Sequence, residues 1–546
     1  MAGVFLRRFA AAAMAMALQL AAANAASIPL HIKDGPLLGT RSGGMVSFLG
    51  IPYAAPPVGH LRWMPPTPPA PWTAPRPATA FGPSCAQITT LGPFAGPANA
   101  NEDCLYLNVF APAGAKKLPV LFWIHGGGNI DGRSNDYDAG KLVKAGLVVV
   151  TINYRLGLFG FLGQPALDAE GHSFGNYAIL DQQAALRWVH DNIAAFGGDP
   201  GNVTIAGQSA GASSASFNVL SPLAKGLFQR AIYESGGYNA PIALAVTEDK
   251  GVKLAAAAGC KGAGAAMAAC LRKLPAQKLL ALSGTASATG PYTSGPMLDG
   301  RVLPERALDA YIAGHFNHVP VMNGMVADEG NFNIGITEFY SGPPRAAVTA
   351  ADFKAYAAKT YGGNAGAGGG PPAYPKGTVE AVLAHYPLKN YASPQLAQDA
   401  LMTDPISCRS RRTARILAPQ VPVYDYTFDE ATAPTYFPVM PGYKSLAYHT
   451  ADLQFLFAGY HGGPDGISHP LNPAQQKLSD RMVSAWANFA RSGNPNGAGN
   501  APWPKFTGTE GTALYLSQNI PAISTFTDSQ FVARHQCGFW EKTLVY

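Results

Sequence analysis

The stretch Val203–Gly211, VTIAGQSAG, decides how the chain is read. It begins as a short β-rich apolar run and breaks at Gly207-Gln208-Ser209-Ala210-Gly211. Small residues then continue through Ala212, where a new helix must pack close to the strand it has just left. A strand that turns sharply into a helix around a Gly-x-Ser-x-Gly string lifts the serine hydroxyl above the sheet. The string alone is weak, because a chain with 61 glycines in 546 residues supplies about 0.3 of them by chance. Indeed a second copy exists, Gly171-His172-Ser173-Phe174-Gly175. That copy follows the polar run GQPALDAEG, so Ser173 is read as a loop or helix-capping residue and Ser209 as the nucleophile.

Outward from this point, short apolar runs alternate with helical patterns. LPVLFWI (118–124), LVVVTIN (147–153), VPVM (319–322) and VPVYDYTF (421–428) read, with VTIA, as strands buried on both faces. Between them, residues 177–196 place Ala185, Val189, Ile193 and Phe196 on one helical face, and Gly197-Gly198-Asp199-Pro200 stops the helix. Strands alternating with helices predict an α/β protein with a mostly parallel central sheet and its reactive groups at the carboxyl ends of the strands. Just after LPVLFWI comes His125-Gly126-Gly127-Gly128. Three glycines there expose backbone N–H groups that can converge on a developing oxyanion.

Composition bounds the alternatives. With 47% hydrophobic and 13% charged residues the chain buries a large core and is not mainly disordered. The net charge of +6 is small and dispersed, which argues against nucleic acid as a partner. Arg7 and Arg8 precede the apolar run Phe9–Ala23, and Ala23-Asn24-Ala25 offers small residues at a cleavage site. Residues 1–25 therefore read as a secretory signal peptide, too short in its apolar part for a stable membrane span. Six cysteines remain, an even number that suggests disulfides in an exported protein, with fifteen pairings open and Cys260 and Cys270 spaced for a local clasp. The ten prolines of residues 52–77 are interleaved with Tyr53, Trp63 and Trp72, whose rings need burial, so this stretch is expected to lie ordered against the core. YGGNAGAGGGPPAYPKG (361–377) is expected to be a surface loop or subdomain edge. His315 and His318 lack a third ligand and read as surface residues rather than a metal site.

Longer strings carry a family resemblance. EDCLYLNV (102–109), FGGDPGNVTIAGQSAG (196–211), GIPYAAPPVGHLRW from Gly50, WANFARSGNPN (486–496) and Trp503-Pro504 resemble the type-B carboxylesterases of the carboxylesterase and cholinesterase family. The resemblance implies an α/β-hydrolase fold, hydrolysis of small-molecule esters, and no metal or cofactor. The residues themselves leave Asp328 and Glu329 equivalent as candidate acids; the resemblance selects Glu329. It also selects His449 in YHTADLQFLF as the base over His461 and His469, which lie in Gly/Pro-rich loops. The N–H groups of Gly127, Gly128 and Ala210 would then hold the oxyanion. The resemblance further implies disulfides Cys85–Cys104, Cys260–Cys270 and Cys408–Cys537. Residues 26–546 are expected to form one catalytic domain, exported to the periplasm or the medium. Three departures stand out: Gln208 where cholinesterase-like members usually carry Glu, no Trp between Cys85 and Cys104, and Asn129 in place of a frequent aromatic. The first two disfavour choline esters, whose cation needs an aromatic face and benefits from negative charge; the third is expected to leave a wetter or roomier pocket near the oxyanion hole. A catalytically silent binding or adhesion protein on the same fold is the rival reading, and amide, thioester or lactone hydrolysis the rival chemistry.

Overall fold

The computed structural model describes residues 26–89, 91, 95–283, 295–342, 345–362, 374–463 and 466–543. The expected signal peptide and most of the Gly-rich run at 361–377 lie outside these residues. Thirteen strands are described: β1 (Ala26–Ile32), β2 (Gly35–Ser42), β3 (Met45–Pro52), β4 (Arg76–Pro77), β5 (Tyr106–Pro112), β6 (Leu118–Ile124), β7 (Val148–Ile152), β8 (Gly198–Gln208), β9 (Arg230–Glu234), β10 (Val321–Val326), β11 (Val423–Phe428), β12 (Leu514–Gln518) and β13 (Ser524–Thr527). They form one sheet in the order β1-β2-β3-β5-β7-β6-β8-β9-β10-β11-β12-β13, with β4 beside β2. From β7 to β12 every neighbouring pair is parallel. Antiparallel strands close both ends.

Each expected strand falls inside this parallel block, because a strand covered on both faces is apolar throughout and so visible in sequence. The block alternates its side chains between two cores. Val120, Phe122 and Ile124 of β6 join one, and Leu121 and Trp123 join the other. Helices α1 (Tyr177–Asn192), α2 (Ala210–Leu220), α3 (Ala307–Ala313) and, further along, the long α5 (Pro394–Leu417) contribute to the first core. Helix α6 (Pro473–Ser492) covers the second with Leu478, Met482, Trp486 and Phe489. Between α3 and α5 lies α4 (Gly330–Tyr340), and the last helix described is α7 (Cys537–Thr543).

Differences from expectation are local. The helix over 177–196 tightens into a 3₁₀ turn at Ile193–Phe196 before Gly197 ends it at φ 83°. Gly198-Asp199-Pro200 then opens β8 instead of continuing the stop. The antiparallel strands β1–β3 and β5 were not expected, since half-exposed strands such as β2 leave only an alternating pattern. The proline-rich segment is ordered: Trp63 is fully buried and donates to Leu158 O (2.9 Å), Tyr53 donates to Asn153 O (2.6 Å), and Trp72 donates to Pro36 O (2.7 Å). Three disulfides join Cys85–Cys104, Cys260–Cys270 and Cys408–Cys537, the pairs the resemblance implies. The last ties α5 to α7. No helix among the described residues is long and apolar enough to cross a membrane.

Candidate active site

Ser209 sits between the end of β8 and the start of α2 with φ 59° and ψ −125°, a strained backbone for a residue with a side chain. The surroundings hold it there. Its N–H donates to Glu234 O (2.8 Å) and its carbonyl accepts from Ser213 N (3.0 Å). A side chain on Gly211 would place its Cβ 2.0 Å from Ile124 O, and one on Gly207 would meet the Gly211 carbonyl carbon at 2.5 Å. Those two glycines let helix and strand touch, so the turn can be this tight. Ser173 has no such setting; it lies in a loop before α1, whose N-cap is Asn176 and not Ser173.

Glu329 follows β10 and caps α4, with its side chain buried. Strand pairing brings it to His449. Asp328 N donates to Ala447 O (3.1 Å), the Asp328 carboxylate accepts from Ala447 N (3.1 Å), and Asp328 bridges to Tyr448. Asp328 thus clamps the neighbouring loop while the next side chain, Glu329, meets His449 Nδ1. The other Glu329 oxygen accepts from Val326 N (3.1 Å). Burial pulls the His449 pKa down, but the charge and hydrogen bond of Glu329 outweigh it and raise it above its ordinary value. His461 bonds only its local Gly459 carbonyl, and the backbone carbonyl of His469 accepts from Gln454.

Ser209, His449, Gln208, Gly126 and Gly127 line one cleft with Phe332, Tyr436 and Thr450. Leu91 and Ala95, inside the loop closed by Cys85–Cys104, form part of its wall. Among the described residues, the N–H groups of Gly127, Gly128 and Ala210 donate to no protein acceptor. Gly127 takes φ 103° against the Asp131 carbonyl, and Gly128 takes φ 62°. Asn129 also has positive φ and gives its carbonyl to Gly157 N (2.7 Å), and it is not among the residues that line the cleft. Gln208 donates from Nε2 to His449 O (2.6 Å), fixing the backbone that carries the imidazole.

A second layer was not legible in sequence. Asp452 is buried three residues past His449, and burial together with the Glu329 charge pushes its carboxyl up to about 7. Burial and the Asp452 charge push Glu234 well above the usual carboxylate range, while Trp486 donates to it (2.7 Å). Their signal is contact across β9, α6 and the His449 loop, which no sequence spacing carries. Size does not mark the site either: an open groove of about 740 Å³ beside Lys141, Lys144, Asp480 and Arg491 is lined by neither Ser209 nor His449. His315 is exposed and pairs with Glu305 (2.9 Å), and no cluster of metal-ligating side chains is present among the described residues.

With this geometry in place, comparison with known proteins identifies the relationship. The model of the carboxylesterase family matches residues 26–540. The chain belongs to the carboxylesterase family. It is 35% identical over 495 residues to the fumonisin B1 esterase of Sphingopyxis macrogoltabida, covering 87% of this chain and 84% of that protein. It is 34% identical over 537 residues to carboxylesterase 1E of Mus musculus, covering 91% and 89%. Among solved structures, a PNB esterase superposes with a TM-score of 0.74 at 31% identity, covering 93% of this chain and 99% of that one. The fold is that of the α/β-hydrolases, and this carboxylesterase is a carboxylic-ester hydrolase of small-molecule esters.

Proposed function

We propose that this carboxylesterase works through an acyl-enzyme on Ser209, with His449 as base and Glu329 as the acid that orients it. The observation that carries the reading is the engagement of His449 Nδ1 by Glu329 in the cleft that also contains Ser209. With Nδ1–H donated to the carboxylate, Nε2 is the nitrogen left to accept a proton. His449 takes the Ser209 proton as the hydroxyl attacks the ester carbonyl, and the N–H groups of Gly127, Gly128 and Ala210 hold the oxyanion. His449 then protonates the leaving alkoxide, and water, activated by the same imidazole, releases the acid. Each oxyanion donor contributes about 10²–10³ in turnover.

The same reading treats residues 26–546 as one catalytic domain and residues 1–25 as an export signal. The three disulfides support an oxidising destination, periplasm or medium. Pre-steady-state hydrolysis of p-nitrophenyl esters tests the chemistry: the native protein gives a burst of p-nitrophenol equal to its active sites. Ser209→Ala abolishes burst and turnover, whereas Ser173→Ala retains both; the reverse pattern ends the assignment. A panel of graded acyl lengths, run beside matched amides and thioesters, reads the substrate preference, and N-terminal sequencing of the exported protein reads the cleavage site.

A further inference from the structure

His125, the residue before the glycine run, is buried and outside the lining of the cleft. Its ring stacks on Tyr154 with centroids 4.4 Å apart and planes at 22°, and its carbonyl accepts from the Tyr154 hydroxyl (2.7 Å). Of its two ring nitrogens, Nδ1 meets the Gly126 carbonyl oxygen at 2.8 Å, and Nε2 is buried with no hydrogen-bond partner among the described residues. A carbonyl oxygen only accepts, so the single ring proton is on Nδ1. A second proton, on Nε2, would be a buried donor with nothing to bond. Burial accordingly pushes the imidazole down to about 4, against the opposing Gly126 bond, so the ring is neutral wherever His449 is.

What the bond does follows from peptide geometry. The Gly126–Gly127 bond is trans, so its C=O and N–H point to opposite sides. Holding Gly126 O on the buried side therefore turns the Gly127 N–H toward the cleft, where Gly126 and Gly127 stand beside Ser209. The next peptide is held in the same way by backbone alone: Gly127 O accepts from Ile130 N and Asp131 N (both 3.0 Å), which turns the Gly128 N–H outward. Glycines resist rotation least of all residues, so a donor in this run keeps its aim only if its carbonyl is tied. Gly132 leaves room for the imidazole: at φ 113°, a Cβ there would lie 2.6 Å from both Gly126 O and His125 Nδ1. We propose that His125 is a positioning residue for ester hydrolysis, its Nδ1–H fixing the Gly126–Gly127 peptide so that the Gly127 N–H is already aimed at the oxyanion. The inference rests on the acyl-enzyme reading of Ser209 and names the side chain that sets up its oxyanion hole.

Steady-state kinetics on p-nitrophenyl butyrate test it, together with inhibition by an alkyl trifluoromethyl ketone, which a nucleophilic serine converts to a hemiketal oxyanion. His125→Phe keeps a flat ring against Tyr154 but has no donor. Its kcat should fall about tenfold or more, up to the roughly 10²–10³ of losing an oxyanion donor outright, with KM nearly unchanged and the ketone bound more weakly by the same factor. His125→Asn, whose amide nitrogen stands near the position of Nδ1, should recover most of kcat. His125→Gln, whose amide falls nearer to Nε2, should not, and the Asn and Gln variants give the reading between them should His125→Phe fail to fold. Ser209→Ala separates the two claims. If it keeps turnover, the acyl-enzyme reading and this inference fall together; if it is inactive while His125→Phe and His125→Gln keep native kcat and ketone affinity, the inference alone falls. Equal losses of kcat in the Asn, Gln and Phe variants would also overturn it, because the packing of the ring and not its donor would then be what matters.

Discussion

Replacing Glu329 by Gln is the sharpest test of how this site handles its proton. The two Glu329 oxygens have different partners: one accepts from Val326 N (3.1 Å) and the other meets His449 Nδ1. A glutamine in the same position must keep its carbonyl oxygen on the Val326 N–H, because leaving a buried donor unpaired costs about 1–3 kcal/mol. Its NH₂ group then faces His449 Nδ1. That contact is satisfied only when Nδ1 becomes an acceptor and the proton moves to Nε2, the nitrogen that receives the Ser209 proton in the proposed mechanism. The wrong tautomer in an otherwise intact triad lowers kcat by about 10⁴, which is about 5.4 kcal/mol at 1.36 kcal/mol per decade. KM should change little, since no substrate contact is removed. The pH profile supplies a second reading. In the proposed mechanism His449 must be neutral to act, and its pKa is raised by Glu329 against the effect of burial. Activity is therefore lost as pH falls through a value above the ordinary 6.5. Without the Glu329 charge and hydrogen bond, only the Asp452 charge opposes burial, and the residual activity should keep its acid limb at lower pH. Steady-state kinetics on p-nitrophenyl butyrate from pH 5 to 9 measures both. A fall in kcat of less than tenfold, or an acid limb that stays or moves up, would refute the reasoning.

Further tests address the scaffold. Gly211→Ala puts a methyl 2.0 Å from Ile124 O, so α2 must move off β6; a loss of about 3 kcal/mol is expected in urea denaturation, with esterase activity falling alongside. Cys408→Ser with Cys537→Ser opens a loop of 129 residues, for which chain entropy gives a loss of about 4–5 kcal/mol. That should appear as a lower melting temperature under non-reducing conditions, and an unchanged melting temperature would mean the bond constrains little of the unfolded chain.

Sequence reading succeeded where a pattern and its physical cause were both local. The parallel strands were visible because burial on both faces makes them continuously apolar, as in LPVLFWI and LVVVTIN. The elbow was visible because its strand, its glycines and its small-residue helix lie within ten residues. Where chemistry depends on which of two adjacent side chains faces a distant partner, pattern was silent. Asp328 and Glu329 look alike in the chain, and their tasks separate only when residues 328 and 447–448 pair and turn one carboxylate to a backbone N–H and the other to an imidazole.

By itself, then, the sequence determined the α/β class, the strand that presents Ser209, and a family resemblance strong enough to name an acid and a base. Only the tertiary structure decided that Glu329 touches His449, that Gln208 holds the His449 backbone, and that Asp452 and Glu234 stand behind them. The reason is physical. Propensity and hydrophobic period act between residues a few positions apart, whereas these contacts join the end of β10 to a loop 120 residues later and the end of β9 to helix α6, 252 residues later. Burial and Coulomb energy act at those contacts through distance in space, and chain spacing does not encode that distance.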